Sequence, residues 1–213
     1  MEPGLFSVAS SATPVVKCRF SRASIAFVCT LSLALTACSP KLDWRTVQLE
    51  RLGYSTLFPA KPKQAERKLP YAGMELIQTL DLAQVDDAML SVTTIEVPSE
   101  IQSQAGVLLK QLQENMLSPA RIGDAKPHLE KSSYHIAGTA RIKVEVDDYS
   151  IEIKNAGGDR WMRVRWIMRP DQSGGSRIYQ QTLLISAPLK ATSFKDELHA
   201  EQWDPFFDEF RVQ

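Results

Sequence analysis

Apolar residues recur at every second position in several segments of the chain, which is the pattern of half-buried β-strands. Four segments of the first half show this pattern: residues 44–49, 54–58, 74–83 and 89–97. Gly53 separates the first two segments, and Pro59 ends the second because proline cannot donate a hydrogen bond to a neighbouring strand. The polar residues 84–87 fit a turn between the last two segments, which therefore predict a β-hairpin.

The period changes to that of an α-helix between residues 100 and 117. The apolar stripe of this segment consists of Ile101, Ala105, Leu108, Leu109, Leu112 and Met116. Ser99 can cap the start of the helix, and Pro119 prevents its extension. A stripe that is one face wide predicts a helix that packs on a sheet.

The C-terminal segment returns to a helical pattern at residues 193–200. Asp204 can cap a second helix that has Pro205 at its first position, where the missing N–H costs nothing. Four aromatic residues cluster around this helix: Trp203, Phe206, Phe207 and Phe210. We expect the cluster to be buried against the sheet.

Strand-like alternation also occupies residues 142–146 and 149–153, on either side of Asp147 and Asp148. If these two aspartates form a two-residue turn, the flanking segments make a hairpin. One long bulged strand is the alternative, since Asp-Asp is a weaker turn signal than Asn-Gly.

Residues 160–169 and 177–186 predict two further strands around the Gly-rich segment 173–176. If Met162, Val164, Trp166 and Met168 face the core, the opposite side of the first strand is an exposed basic stripe. Its candidate partner-binding residues are Trp161, Arg163, Arg165 and Arg169. Interfaces favour arginine and tryptophan, so the stripe could dock an acidic partner or an anionic envelope polymer. A plain solvated strand face is the alternative.

The order of elements predicts an α+β domain in which an antiparallel β-sheet is flanked by helices. Residues 54–59 (Tyr-Ser-Thr-Leu-Phe-Pro) open this domain, and residues 206–210 (Phe-Phe-Asp-Glu-Phe) close it. With these pieces, residues 44–210 resemble the PsbP-like fold, named for an extrinsic photosystem subunit, and bacterial lipoproteins of unknown function that share it. The resemblance implies an α/β/α sandwich that binds or stabilises a larger assembly, with no catalytic residue to carry over.

Residues 25–37 form an uncharged, mostly apolar run that follows three basic residues, Lys17, Arg19 and Arg22. A basic region, a short apolar region and small residues at the cut are typical of a secretory signal. The ending Leu-Thr-Ala-Cys resembles the lipobox of bacterial lipoproteins, in which the cysteine, here Cys38, becomes the lipid-bearing first residue of the mature protein. An uncleaved anchor helix is the alternative, but 13 residues fall short of the roughly 20 that cross a bilayer.

This interpretation divides the chain into a signal peptide (1–37), a short tether (38–43) and one domain (44–213). Cleavage removes Cys18 and Cys29, so that the mature chain keeps a single cysteine and cannot form an internal disulfide. Its net charge falls to about −2, which gives no electrostatic reason to bind nucleic acid. By the same resemblance, Ser39 after the cysteine favours a lipid-anchored protein of the outer membrane that faces the periplasm.

The candidate chemistry is sparse. His128, His135 and His199 lie in different segments without ligand spacing, so we expect no metal site and no cofactor. The pairs Asp86-Asp87 and Asp147-Asp148 fit turns better than catalytic carboxylates. We see no nucleophile elbow, phosphate loop or dinucleotide fingerprint in the sequence.

The leading hypothesis is therefore a non-enzymatic lipoprotein that acts as a binding or assembly module for an envelope protein partner. A periplasmic small-ligand carrier is the second hypothesis, and it requires an apolar pocket between the sheet and the helix. A hydrolase without a recognisable motif is the third, since nothing in the sequence pairs a nucleophile with a base.

Overall fold

Ten β-strands join in a single sheet in the computed structural model, which describes residues 42–118, 122–138, 142–154, 158–186 and 193–213. The described residues belong to one compact unit. The strands are β1 (Arg45–Leu49), β2 (Tyr54–Phe58), β3 (Lys63–Tyr71), β4 (Met74–Val85), β5 (Ala88–Val97), β6 (His128–Ile136), β7 (Lys143–Ile153), β8 (Arg160–Pro170), β9 (Ser176–Ser186) and β10 (Arg211–Val212).

The strand order across the sheet is β1-β2-β10-β6-β7-β8-β9-β5-β4-β3. Every neighbouring pair is antiparallel except β10 and β6, which run parallel. The sheet curls into a half-barrel, and 54% of the described residues lie in strands against 22% in helices.

The predicted α+β domain, with the α/β/α sandwich that the PsbP-like resemblance implied, is therefore wrong. Three strands that the apolar pattern missed, β3, β6 and the two-residue β10, account for much of the difference. Six consecutive residues of β3 are exposed because β3 is an edge strand, so no alternation marks it in the sequence. Alternation reports a strand only when one of its faces is buried and the other is not.

Other strand predictions are confirmed with small shifts at their ends. β4 and β5 form the expected hairpin around Asp86 and Asp87, and β8 and β9 form the next one around the Gly-rich segment. The predicted turn at Asp147 and Asp148 is wrong, because both residues lie inside the continuous strand β7. The single-strand alternative is the correct one.

The helices are short. A 3-10 helix (Ser99–Gln104) precedes α1 (Ala105–Met116), and Ile101 between their turns has non-helical angles (φ −122°, ψ 19°), so the predicted helix 100–117 is regular only in its second part. Two C-terminal helices, α2 (Phe194–Leu198) and α3 (Asp204–Asp208), flank a 3-10 turn (Glu201–Trp203). None of the helices in the described ranges is long and apolar enough to cross a membrane.

Both faces of the sheet are covered. On one, here called the α1 face, Leu76, Ile95, Ile178 and Ile101 pack with Ala105 and Leu108 of α1. The other, here called the aromatic face, packs against the C-terminal segment through a cluster that includes Tyr54, Phe58, Trp161, Tyr179, Leu183, Trp203, Phe206, Phe207 and Phe210. The expected burial of the four C-terminal aromatic residues is confirmed.

Candidate functional site

The four residues of the predicted basic stripe share the aromatic face, but three of them are buried. Trp161 is 7% exposed, Arg163 5% and Arg165 0%, whereas Arg169 is only half-buried. The expectation that this side of β8 faces solvent is therefore wrong for the first three. The physical reason is that α2, α3 and β2 cover this side of the sheet, an arrangement that the pattern of one strand cannot reveal.

Arg163 forms a buried ion pair with Asp148 on the neighbouring strand β7. Its Nε and Nη2 donate to Asp148 Oδ2 at 2.9 and 2.8 Å. The guanidinium also lies 3.8 Å from the ring centre of Phe207, a cation–π distance. Asp148 is thus a structural partner inside the sheet, contrary to its expected place in an exposed turn.

Arg165 connects the sheet to the C-terminal segment. It donates to Gln181 Oε1 at 2.6 Å, to the carbonyl oxygen of Ser133 at 3.0 Å and to the carbonyl oxygen of Phe207. Burial lowers the pKa of Arg165 to about 10, so the side chain keeps its charge at neutral pH. Substituting this residue or Arg163 would therefore test folding and would say little about partner binding.

A serine–histidine contact lies beside this network. The Oγ atom of Ser150 is 2.9 Å from Nε2 of His199, a nucleophile-to-base distance. Ser150 is only 1% exposed, however, and a substrate cannot reach its hydroxyl group in this conformation. Burial and the Arg163 charge lower the pKa of His199, which favours its neutral form.

The other two histidines each make a polar contact with a single group. His128 Nε2 lies 2.8 Å from Glu130 Oε1, and His135 Nδ1 lies 3.1 Å from the carbonyl oxygen of Asp208. No group of three or more His, Cys, Asp or Glu residues within the described ranges is arranged to hold a metal ion.

The side chain of Arg169 lines a surface cleft of about 460 Å³, which lies where β8 ends and β9 begins. We call it the arginine cleft. Its lining residues are Glu50, Arg169, Pro170, Asp171, Gln172, Ser173, Arg177 and Gln213. Arg169 and Arg177 are direct partners in the β8–β9 register, so their side chains leave the same face of the sheet.

The β8–β9 turn forms one wall of the arginine cleft. Asp171 Oδ1 accepts hydrogen bonds from the Ser173 backbone N–H at 2.9 Å, the Ser173 hydroxyl at 2.6 Å and the Gly175 N–H at 3.0 Å. These bonds and the Arg177 charge lower the pKa of Asp171. Gly175 cannot be replaced easily, since a Cβ atom there would lie 2.3 Å from the carbonyl oxygen of Val97.

Glu50 also lines the arginine cleft and belongs to the 3-10 turn Glu50–Leu52, which is followed by Gly53. Gly53 has a φ of +67°, and a Cβ atom there would lie 2.4 Å from Arg177 Nη1, so the guanidinium rests directly on the backbone. The Tyr179 hydroxyl donates to the Leu52 carbonyl oxygen at 2.8 Å and holds the turn on the sheet. Burial raises the pKa of Tyr179 to about 12, although Arg177 opposes this shift.

The two arginines of the cleft are poorly satisfied by the protein. The Nε atoms of both Arg169 and Arg177 are buried and have no hydrogen-bond partner among the described residues. Glu96, which faces Arg177 across the β5–β9 pair, is instead paired with Arg51 at 3.3 Å. No carboxylate of the described residues lies within 4.0 Å of either guanidinium.

Sequence reasoning identified Arg169 but missed Arg177. The signal that could have found it is the hairpin register, because a turn centred on residue 173 places positions 169 and 177 opposite each other. The contribution of the 3-10 turn depends on tertiary packing and leaves no local trace in the sequence. Cys38, the predicted lipidation site, lies outside the described residues, as do the predicted signal peptide and most of the predicted tether.

Fold and cleft together define a curled antiparallel sheet with a polar, arginine-lined cleft at one end. No family model matches the chain, and a search of curated proteins finds no match. Among solved structures, the chain is similar to one titled "Crystal structure of LpqN involved in cell envelope biogenesis of Mycobacterium tuberculosis". That match has 14% sequence identity and a TM-score of 0.30, and it covers 81% of this chain and 91% of the other. A TM-score of this size supports no argument about fold or function.

Proposed function

We propose that the protein is a lipid-anchored, non-enzymatic binding module of the cell envelope, and that the arginine cleft is its contact site. The observation that carries the binding role is the pairing of Arg169 with Arg177 in an accessible cleft, where no carboxylate of the described residues lies within 4.0 Å of either guanidinium. Two adjacent like charges on one sheet face are unfavourable unless something compensates them. A partner that presents an anionic group would supply that compensation.

The anchor rests on the sequence alone. A basic region, a short apolar run and Leu-Thr-Ala-Cys place the lipid on Cys38, and Ser39 favours the outer membrane facing the periplasm. Only residues 39–43 separate the lipid from Trp44, a reach of about 15–18 Å when fully extended. The module would therefore work close to the membrane surface.

The two other hypotheses fit the structure less well. A small-ligand carrier needs an apolar pocket between sheet and helix, but Leu76, Ile95 and Leu108 fill that space on the α1 face. A hydrolase would need its nucleophile in reach of a substrate, whereas Ser150 is buried beneath the C-terminal segment.

The anchor can be tested by metabolic labelling with radioactive palmitate. We expect Cys38→Ser to abolish the label, while Cys29→Ser and Cys18→Ser, which change cysteines of the predicted signal peptide, retain it. Continued labelling of Cys38→Ser would refute the anchor.

The contact site can be tested with a photo-crosslinking amino acid at Gln172, an exposed position of the arginine cleft. Gln111, exposed on α1, is the matched control position. We expect a crosslinked envelope component from position 172 only, and its loss when Arg169 and Arg177 are both changed to glutamine. Equal crosslinking from both positions, or no effect of the double substitution, would rule out the arginine cleft as the contact site.

A further inference from the structure

The chemistry of the cleft narrows the choice of ligand. We infer that the arginine cleft binds a phosphoryl group, held between the guanidinium groups of Arg169 and Arg177. This inference rests on the proposed role of the cleft as a contact site and adds the chemical class of what it contacts.

Geometry is the first argument. Directly opposed residues of an antiparallel pair have Cα atoms about 4.5–5.5 Å apart. Arg169 and Arg177 occupy such a pair on β8 and β9, and both side chains line the same cleft. Two guanidinium groups can therefore approach one anion from neighbouring strands.

The number of donors is the second argument. A guanidinium presents its donors as a planar fork, and one fork already matches both oxygens of a planar carboxylate. A tetrahedral phosphoryl group carries three terminal oxygens as a monoester and can accept from two forks in different planes. A pair of arginines thus suits a phosphoryl group better than a carboxylate.

A comparison within the same strand is the third argument. Arg163 and Arg165 use the same face of β8, and there the protein supplies the acceptors: Asp148 for one, and Gln181 with two carbonyl oxygens for the other. None of the described residues accepts a hydrogen bond from Arg169 Nε, which is buried and unpaired. The fold thus supplies acceptors to Arg163 and Arg165, whereas no carboxylate of the described residues lies within 4.0 Å of the two guanidinium groups at the cleft.

Two carboxylates limit the affinity. Asp171 lines the cleft, but three hydrogen bonds within the turn occupy its Oδ1. Glu50 also lines the cleft, and its side chain is exposed, so it repels an incoming anion through solvent-screened charge. We therefore expect weak but specific binding that becomes tighter in Glu50→Gln.

The phosphoryl group could come from a free phosphate or phosphate monoester, or from the diester headgroup of a phospholipid. The experiment separates these sources with three soluble probes: inorganic phosphate, glycerol phosphate and glycerophosphoglycerol. Each is titrated by calorimetry into the full chain, purified in a maltoside detergent and kept in a chloride buffer of constant ionic strength. Acetate serves as the carboxylate comparison.

We expect at least one phosphoryl probe to bind more tightly than acetate, and its affinity to fall by at least about tenfold in Arg169→Gln and in Arg177→Gln. Arg160→Gln removes an exposed arginine at the other end of the same strand and should leave the affinity unchanged. Arg169→Lys and Arg177→Lys keep the charge without the fork, so they should lose affinity to an intermediate degree. If a glutamine variant fails to fold, the two lysine variants are used in its place to test the inference.

Binding of only the diester probe would identify the source as a phospholipid headgroup, and binding of only the other two would identify a soluble phosphate; either supports the inference. Binding weaker than about 10 mM for all probes, equal binding of acetate, or an equal loss in Arg160→Gln would overturn it. Crosslinking from Gln172 without phosphate binding would leave the proposed function standing and reject only the phosphoryl group. Phosphate binding without crosslinking from Gln172 would support the phosphoryl group and reject the arginine cleft as the contact site for an envelope component.

Discussion

Asp148 and Arg163 form an ion pair that is almost completely removed from water, with side chains 1% and 6% exposed. The pair joins β7 to β8 under the C-terminal aromatic residues. Asp148 Oδ1 and Arg163 Nη1 have no hydrogen-bond partner in the part of the chain that the structure describes, so the ion pair leaves two of its polar atoms unpaired there. A buried pair of this kind contributes little net stability, whereas breaking it is costly.

We predict that Asp148→Ala lowers the free energy of unfolding by about 3–5 kcal/mol, because it leaves the Arg163 charge buried and unpaired. The double variant Asp148→Leu/Arg163→Met removes both charges and should lose less than Asp148→Ala alone. Urea unfolding followed by tryptophan fluorescence measures both. The account would be contradicted if the double variant lost as much unfolding free energy as Asp148→Leu and Arg163→Met lose together when measured separately.

Arg165→Met should destabilise the docking of the C-terminal segment. The substitution deprives the carbonyl oxygens of Phe207 and Ser133 of a buried donor, at about 1–3 kcal/mol for each unsatisfied group. We expect faster hydrogen exchange at residues 204–212 than in the parent chain. Arg160→Met, on the same strand but exposed, should leave exchange in that segment unchanged.

Gly53→Ala and Gly73→Ala form a matched pair of variants that separates the effect of backbone strain from the effect of displacing the Arg177 side chain. Both glycines have a positive φ, +67° and +79°, so each alanine costs about 1–2 kcal/mol of backbone strain. Only the Cβ atom at position 53 collides with Arg177 Nη1, the mobile end of that side chain; position 73 is open. We therefore expect the two variants to lose a similar amount of unfolding free energy. Only Gly53→Ala should bind phosphate more weakly than the parent chain. An unchanged affinity in Gly53→Ala would show that the position of Arg177 does not control binding.

The stability of the protein should fall between neutral and mildly acidic pH, in part through His199. Its folded-state pKa lies below the ordinary value of 6.5, so the unfolded state takes up a proton at a higher pH than the folded state does. Stability from this group is present above pH 6.5, is lost as the pH falls through that value, and stops falling below the folded pKa. The charged groups that act on His199 are Arg163, Asp148, Glu130, Lys195 and Asp204.

His199→Gln should remove this component, so the variant loses less stability than the parent chain between about pH 7.5 and about pH 5.5. Urea unfolding at the two pH values measures the difference. A parent chain and variant with the same pH dependence would contradict the lowered pKa.

Local sequence patterns predicted the strands in which buried and more exposed positions alternate, and also β8, in which positions 161–167 are all buried. β2 has the predicted bounds, and the bounds of β4, β5, β8 and β9 differ from the predicted ones by at most two residues. β7 was divided in error because Asp147 and Asp148 interrupt its apolar positions, and the buried partner of Asp148 lies on another strand. β3 was missed because exposure on an edge removes the alternation.

The candidate site was harder to predict for a related reason. The sequence shows that four residues of β8 share a face, but it does not show what covers that face. Phe207 and its neighbours cover Arg163 and Arg165, while Arg169 extends past the covered region into the cleft. Tertiary packing alone therefore decides which arginine is structural and which is available to bind.

The two-residue strand β10 has a consequence for the order in which the sheet is completed. It is the strand through which β1 and β2 join the other strands, since it lies between β2 and β6. Contacts in this region connect residues as far apart as Thr56 and Phe206, 150 positions along the chain. Because β10 is the last strand along the chain, we expect the β1–β2 hairpin to join the sheet late in folding, in a step of high contact order.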